Sequence, residues 1–257
     1  MTWRLWRALR DPNQSHPIFQ RTMTVYQPLV PPAYFWILQV FLAPLVFFPF
    51  LIFPSTAYGL IWAYNISDEI AGAQRRGTFD LLALLPGGAL TAIWMMSAGY
   101  LHRDQSLYRI HQPGLWIMRL MLAALTLSIL LPAGAASAGS PYQPIFYGAL
   151  AALFIDHYQA VVMSLLIAML VPGWRQDRFT LRLTAAGLFL LAEVGTIFVT
   201  VMVGVLMLRL LGESGGLWVT VGTLVFFALL REAIVALLWH RLTRHAEPED
   251  LARLRVG

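Results

Sequence analysis

Between Ala33 and Ile66 the chain runs for 34 residues without a single charged side chain. As one α-helix this stretch would be about 50 Å long, against a bilayer hydrocarbon core of roughly 30 Å. Backbone polar groups in lipid must be satisfied internally, so the stretch has to be helical and it has to be broken. Pro44, Pro49 and Pro54 supply the breaks. They predict a tight hairpin of two short spans, near 33–50 and 52–66. The competing reading takes one span here and makes Leu81 to Leu101 the second. The two readings differ in which side of the membrane receives the polar segment that follows. Arg75 and Arg76 favour the cytosol, because cationic residues concentrate there.

The remainder agrees with a membrane solvent. Apolar residues make up 58% of the 257 positions and charged residues only 12%, which excludes an ordinary water-soluble globule. Further spans are predicted at Leu115 to Leu131, Pro144 to Val171, Leu181 to Leu211 and Leu217 to Trp239. Ala89 to Leu101 is too short to cross and reads as a surface or re-entrant helix. Loops 132–143 and 212–216 hold no Arg, whereas 172–182 holds Arg175, Arg178 and Arg182. With Arg4, Arg7, Arg10 and Arg21 before the spans and Arg241, Arg244, Arg253 and Arg255 after them, both termini are expected in the cytoplasm. The expectation is an all-α polytopic protein of about six transmembrane helices, in a prokaryotic plasma (inner) membrane. Residues 1–32 form an interfacial helix and elbow, 33–239 the transmembrane domain with a cytosolic segment at 67–113, and 240–257 a cytosolic tail. In the first helix Trp3, Trp6 and Leu9 share one face and Arg4, Arg7 and Arg10 another, a pattern suited to anionic lipid. The net charge of +5 is thus a matter of topology, and nucleic acid is not an expected partner.

The organising polar stretch is Ile70 to Gly88, IAGAQRRGTFDLLALLPGG. Thr78 suits a helix N-cap and Asp80 favours the positive end of the helix dipole. Phe79, Leu82 and Leu85 recur at helical spacing until Pro86-Gly87-Gly88 ends the run. A short amphipathic helix on a membrane surface or against a partner is expected. These residues resemble the cytosolic coupling segment of type-two ABC permeases, the exporter class with six spans per subunit. Ile70, Gly72, Arg76, Gly77, Thr78, Asp80, Leu81, Leu82, Leu84 and Pro86 match that pattern. Ala73, Gln74, Arg75, Leu85 and Gly87-Gly88 depart from it, so two acidic positions of the pattern are lost. The resemblance implies a permease that is not itself catalytic. Its Arg76, Gly77, Thr78, Phe79, Asp80, Leu82 and Leu85 would seat on a separate ATP-binding cassette subunit, beside a second permease subunit.

Ionisable residues within spans are the other candidates: Asp156, His157, Glu193, Arg231 and Glu232. Glu193 and Arg231 lie at comparable depths on antiparallel neighbouring spans, so a structural ion pair is expected. Asp156-His157 reads either as a proton relay or as a polar pair bonded to a neighbouring span, and adjacent helical residues pointing about 100° apart favour the second. No two of the six His stand one helical turn apart within a span, and the chain has no Cys, so neither a metal site nor a cofactor is expected. All 18 basic residues are Arg, and no phosphate loop of the G-x-x-x-x-G-K type exists, so any ATPase must be another polypeptide. Hydrolase chemistry has no nucleophile constellation to stand on. Two alternatives to the exporter remain: a non-transporting structural subunit of a respiratory or photosynthetic membrane complex, and a proton-coupled carrier using Asp156, His157 and Glu193.

Overall fold

The computed structural model describes residues 1–24, 54–79, 88–103, 143–174, 177–211 and 216–244, together with isolated positions between 116 and 124. Every described element is helical. The helices are α1 (Thr2–Arg10), α2 (Pro17–Thr24), α3 (Pro54–Arg75), α4 (Gly88–Arg103), α5 (Gln143–Leu170), α6 (Arg178–Leu211) and α7 (Gly216–Thr243). A short 3-10 turn, Val171–Trp174, closes α5. The expected span at 33–50, most of Leu115 to Leu131, the tail beyond residue 244, and Asp80, Leu82 and Leu85 lie outside the described residues, while residues 240–243 of the expected tail continue α7.

Among the described residues three helices are long and apolar enough to cross a membrane: Phe146–Gly173, Arg178–Leu211 and Gly216–Thr243. They answer to the last three predicted spans. The chain is therefore an all-helical protein compatible with a membrane, with these three as its candidate spans. α5 is largely enclosed, packed against α3 and α7, and α6 packs against α3 and α7. The outer faces of α6 and α7 carry Leu191, Phe198, Leu206, Leu210, Trp218 and Leu229 exposed, the apolar surface that a bilayer would solvate. In this solvent a helix keeps its apolar face outward at no cost, and burial is decided by packing.

α3 begins at Pro54, as a proline at the first helical position allows, and runs unbroken for 22 residues. The predicted span at 52–66 is thus the first part of a longer helix that carries Ser67, Asp68 and Glu69 onward. Trp62, Ala63, Ile66 and Ile70 bury one side of it. Gly59 lies directly under the fully buried Phe189 ring, where a methyl group would collide, and this close approach fixes the crossing of α3 and α6. Near Gly148, Gly204 and Phe227, α5, α6 and α7 leave an apolar cleft of about 330 Å³ between them.

Two expectations are corrected. Of the surface and re-entrant readings of α4 the first is set aside, since Leu90, Ala92, Trp94, Met96, Ala98, Tyr100 and Leu101 are all buried. Its partner is α2, whose Thr22 meets Gly99. Nor does α1 turn its apolar face to lipid. Leu5, Trp6 and Leu9 are buried in the protein core, with the Trp6 ring edge-on to Tyr158 and the Leu9 carbonyl bonded to His102 Nε2 at 2.8 Å. Only Trp3 of the expected face stays exposed, with Arg7 over its ring. The amphipathic pattern specified a buried face without specifying which apolar medium would cover it.

Candidate functional site

Near the middle of α5, α6 and α7 three charged side chains converge, each wholly inaccessible to solvent. Arg231 Nη1 pairs with Asp156 Oδ1 at 2.5 Å, and Arg231 Nη2 pairs with Glu193. The hydroxyl of Ser55, in the first turn of α3, donates to Asp156 Oδ2 at 2.5 Å. The Arg231 guanidinium also lies over the Phe227 ring, 4.8 Å from its centre. One planar fork therefore holds two carboxylates on two different helices, a geometry that a lysine ammonium could not reproduce. One turn further along α5, Gln159 Nε2 donates to the Ala228 carbonyl of α7 at 3.1 Å. These polar bonds tie four helices at one level, where hydrocarbon offers no competing partner.

Glu193 and Arg231 are thus partners, as expected. Asp156 joins them, bonded to neighbouring helices as expected, though the sequence did not indicate Arg231 as its partner. His157 points elsewhere, edge-on to the rings of Trp6, Trp116 and Tyr158. Glu232 also stands apart from the triad. It accepts the Thr2 backbone N–H at 2.9 Å and the Thr2 hydroxyl at 2.5 Å, and pairs with the amine of Met1. A carboxylate at the N-terminus of α1 meets the positive end of that helix.

The polar turn lies at the other end of α3. Gly77 has φ +67, a left-handed conformation that favours glycine, and it ends the helix. The Arg76 and Gly77 N–H groups donate to the Gly72 and Gln74 carbonyls at 3.1 and 3.0 Å. Helix resumes at Thr78, whose hydroxyl donates back to the Ala73 carbonyl at 3.1 Å, closing the end of α3. Gln74, Arg75, Arg76 and Gly77 are exposed. Phe79 is half-buried and packs on a small cluster of Ile18, Ala73, Ala92 and Met96. The aromatic end of the expected partner-facing stripe is therefore turned toward the chain's own α2 and α4.

Sequence reasoning missed a second ionic cluster. Asp68 accepts from Arg178 Nε at 2.6 Å and Nη2 at 2.7 Å and from Arg182, with Arg75 at 3.6 Å. Arg182 also lies over the Tyr64 ring and bonds its hydroxyl at 3.3 Å. Burial alone would raise the Asp68 carboxyl, but the hydrogen bonds and charges of Arg178 and Arg182 outweigh it and hold it below the usual carboxylate range. Asp177 caps α6, accepting the Thr180 N–H at 3.1 Å. The available signal was the acid pair Asp68-Glu69 near the end of α3, matched by the Arg-rich start of the later helix α6.

The fold and these two clusters define the class: an all-helical protein with three candidate membrane spans and a charged triad buried among them. Comparison with protein-family models, with curated proteins and with solved structures finds no match for this chain.

Proposed function

We propose that this chain is the transmembrane permease subunit of an ATP-driven exporter in a prokaryotic inner membrane, with both termini cytoplasmic. It is not catalytic itself and is driven by a separate ATP-binding cassette subunit beside a second permease subunit. The observation that carries the reading is the course of α3. At one end Ser55 bonds the buried triad, and at the other, about 33 Å away at 1.5 Å per residue, the helix ends in the exposed turn Gln74 to Gly77. A continuous helix is stiff, so a push on the turn reaches the triad. Phe79 then serves as the anchor that fastens the turn to α2 and α4, and the exposed Arg75 and Arg76 face the ATPase.

The inward packing of Phe79 favours a second reading, a structural subunit of a larger membrane complex with no transport of its own. Purification from the native membrane separates the two. A nucleotide-hydrolysing partner should copurify and be lost on Arg76→Ala, with the thermal stability of the remaining chain unchanged. Copurification with electron-transfer subunits, and no nucleotide-binding protein, would overturn the exporter.

A further inference from the structure

The Asp68 cluster carries more positive charge than its architecture needs. Three guanidiniums surround one carboxylate. Counting the sequence neighbours Arg76, Glu69 and Asp177 as well, four guanidiniums stand against three carboxylates among the described residues. Arg178 and Arg75 are well exposed, their side chains 63% and 45% accessible, so much of their donor capacity faces outward.

Its depth follows from α6. Phe179, Leu183, Leu191, Val194, Phe198, Met202, Val205 and Leu206 are exposed and follow one another at spacings that keep them to one side of the helix. Measured from Phe179 to Leu206 this apolar surface is about 40 Å long at 1.5 Å per residue. With the roughly 20° tilt usual for spans it crosses about 38 Å, more than the roughly 30 Å hydrocarbon core, so its ends reach the headgroup layers. Phe179 therefore lies at one headgroup layer, and Arg178 and Arg182 with it. Arg178 and Arg182 stand in helical register with the buried Ala185 and Phe189, on the side of α6 that meets α3. Phe179 and Leu183, one residue further on, begin the apolar strip beside them, so a phosphate held by these planar cations would leave acyl chains next to that strip.

We infer that Arg75, Arg178 and Arg182 bind the phosphate headgroup of an anionic phospholipid, whose acyl chains lie along Phe179 and Leu183. The site is separate from the exporter reading and requires only that α6 cross the membrane. Asp68 has a double part: it orients Arg178 and Arg182 and limits the charge they present.

Native mass spectrometry of the full chain in detergent tests this, with phosphatidylglycerol, phosphatidylcholine and inorganic phosphate as probes. Wild type should retain phosphatidylglycerol severalfold over phosphatidylcholine, and phosphate should not displace it. Arg75→Gln and Arg178→Gln should each weaken retention about fivefold, the usual effect of one cation near an anionic surface. Arg178→Lys should retain most of it, and Asp68→Asn should strengthen it. Arg75→Gln removes only the longest ion pair, so folding is preserved in at least that variant. Equal retention of the two lipids overturns the site. So does retention that survives the Arg75→Gln/Arg178→Gln pair but falls with Arg4→Gln/Arg7→Gln, which would move the lipid to α1. Displacement by inorganic phosphate would mark a site for a soluble anion and overturn the lipid assignment.

Discussion

Replacing Arg231 by Met removes the one cation between Asp156 and Glu193 and leaves two carboxylates on facing helices in a solvent-free interior. Breaking a buried pair in this way costs about 3 to 5 kcal/mol, mostly the penalty of the charge left behind. Glu193→Gln is milder, about 1 to 3 kcal/mol, because Arg231 keeps Asp156 and the amide oxygen can still accept from the guanidinium. The two effects should not add, and a coupling of about 1 to 3 kcal/mol is expected. The triple change Asp156→Asn, Glu193→Gln, Arg231→Met removes every charge and should recover much of the loss, since apolar or neutral replacements of a whole buried network are often near neutral. At roughly 2 to 4 °C per kcal/mol for a chain of this size, Arg231→Met should lower Tm by roughly 6 to 20 °C. Thermal unfolding followed by tryptophan fluorescence, in detergent and in nanodiscs, measures all five proteins: wild type, the two single variants, the Glu193→Gln/Arg231→Met double and the triple. If the single effects add to within about 0.5 kcal/mol, or the triple variant is no more stable than Arg231→Met, the triad is not an energetic unit and the reasoning fails.

Gly59→Ala should destabilise by about 1 to 3 kcal/mol, because its methyl group meets the immobile Phe189 ring, and Phe189→Leu in the same chain should restore part of the loss in the same melting assay. The depressed Asp68 carboxyl contributes stability that is fully present above the ordinary carboxylate value of about 4 and is lost as pH falls through its lower folded value. The Tm difference between wild type and Asp68→Asn should therefore hold from neutral pH to about 5 and close below about 4; a difference that persists in acid would detach it from this carboxylate. The Cys-free sequence allows clean topology mapping: single Cys at Gln74 and at Ser140 should be labelled from opposite sides by an impermeant reagent, and labelling of both from outside would sink the cytosolic placement of the turn.

The three candidate spans were legible within a few residues, because residence in lipid depends on a run of side chains along one helix and on nothing distant. Glu193 and Arg231 could be paired from the sequence for a related reason: antiparallel neighbours joined by a short loop bring equal distances from that loop to equal depth. What the sequence could not decide was which neighbour each helical face would meet. The rotation of α5 about its axis sends Asp156 to Arg231 and His157 to the aromatic rings, and that rotation is set by α3, α6 and α7 together. The same holds for α1 and α4, whose apolar faces are buried by protein, and for Phe79, which turns inward onto Ala92 and Met96. A hydrophobic face reports only that water is excluded. Lipid and protein exclude it equally, so the choice between them belongs to tertiary packing.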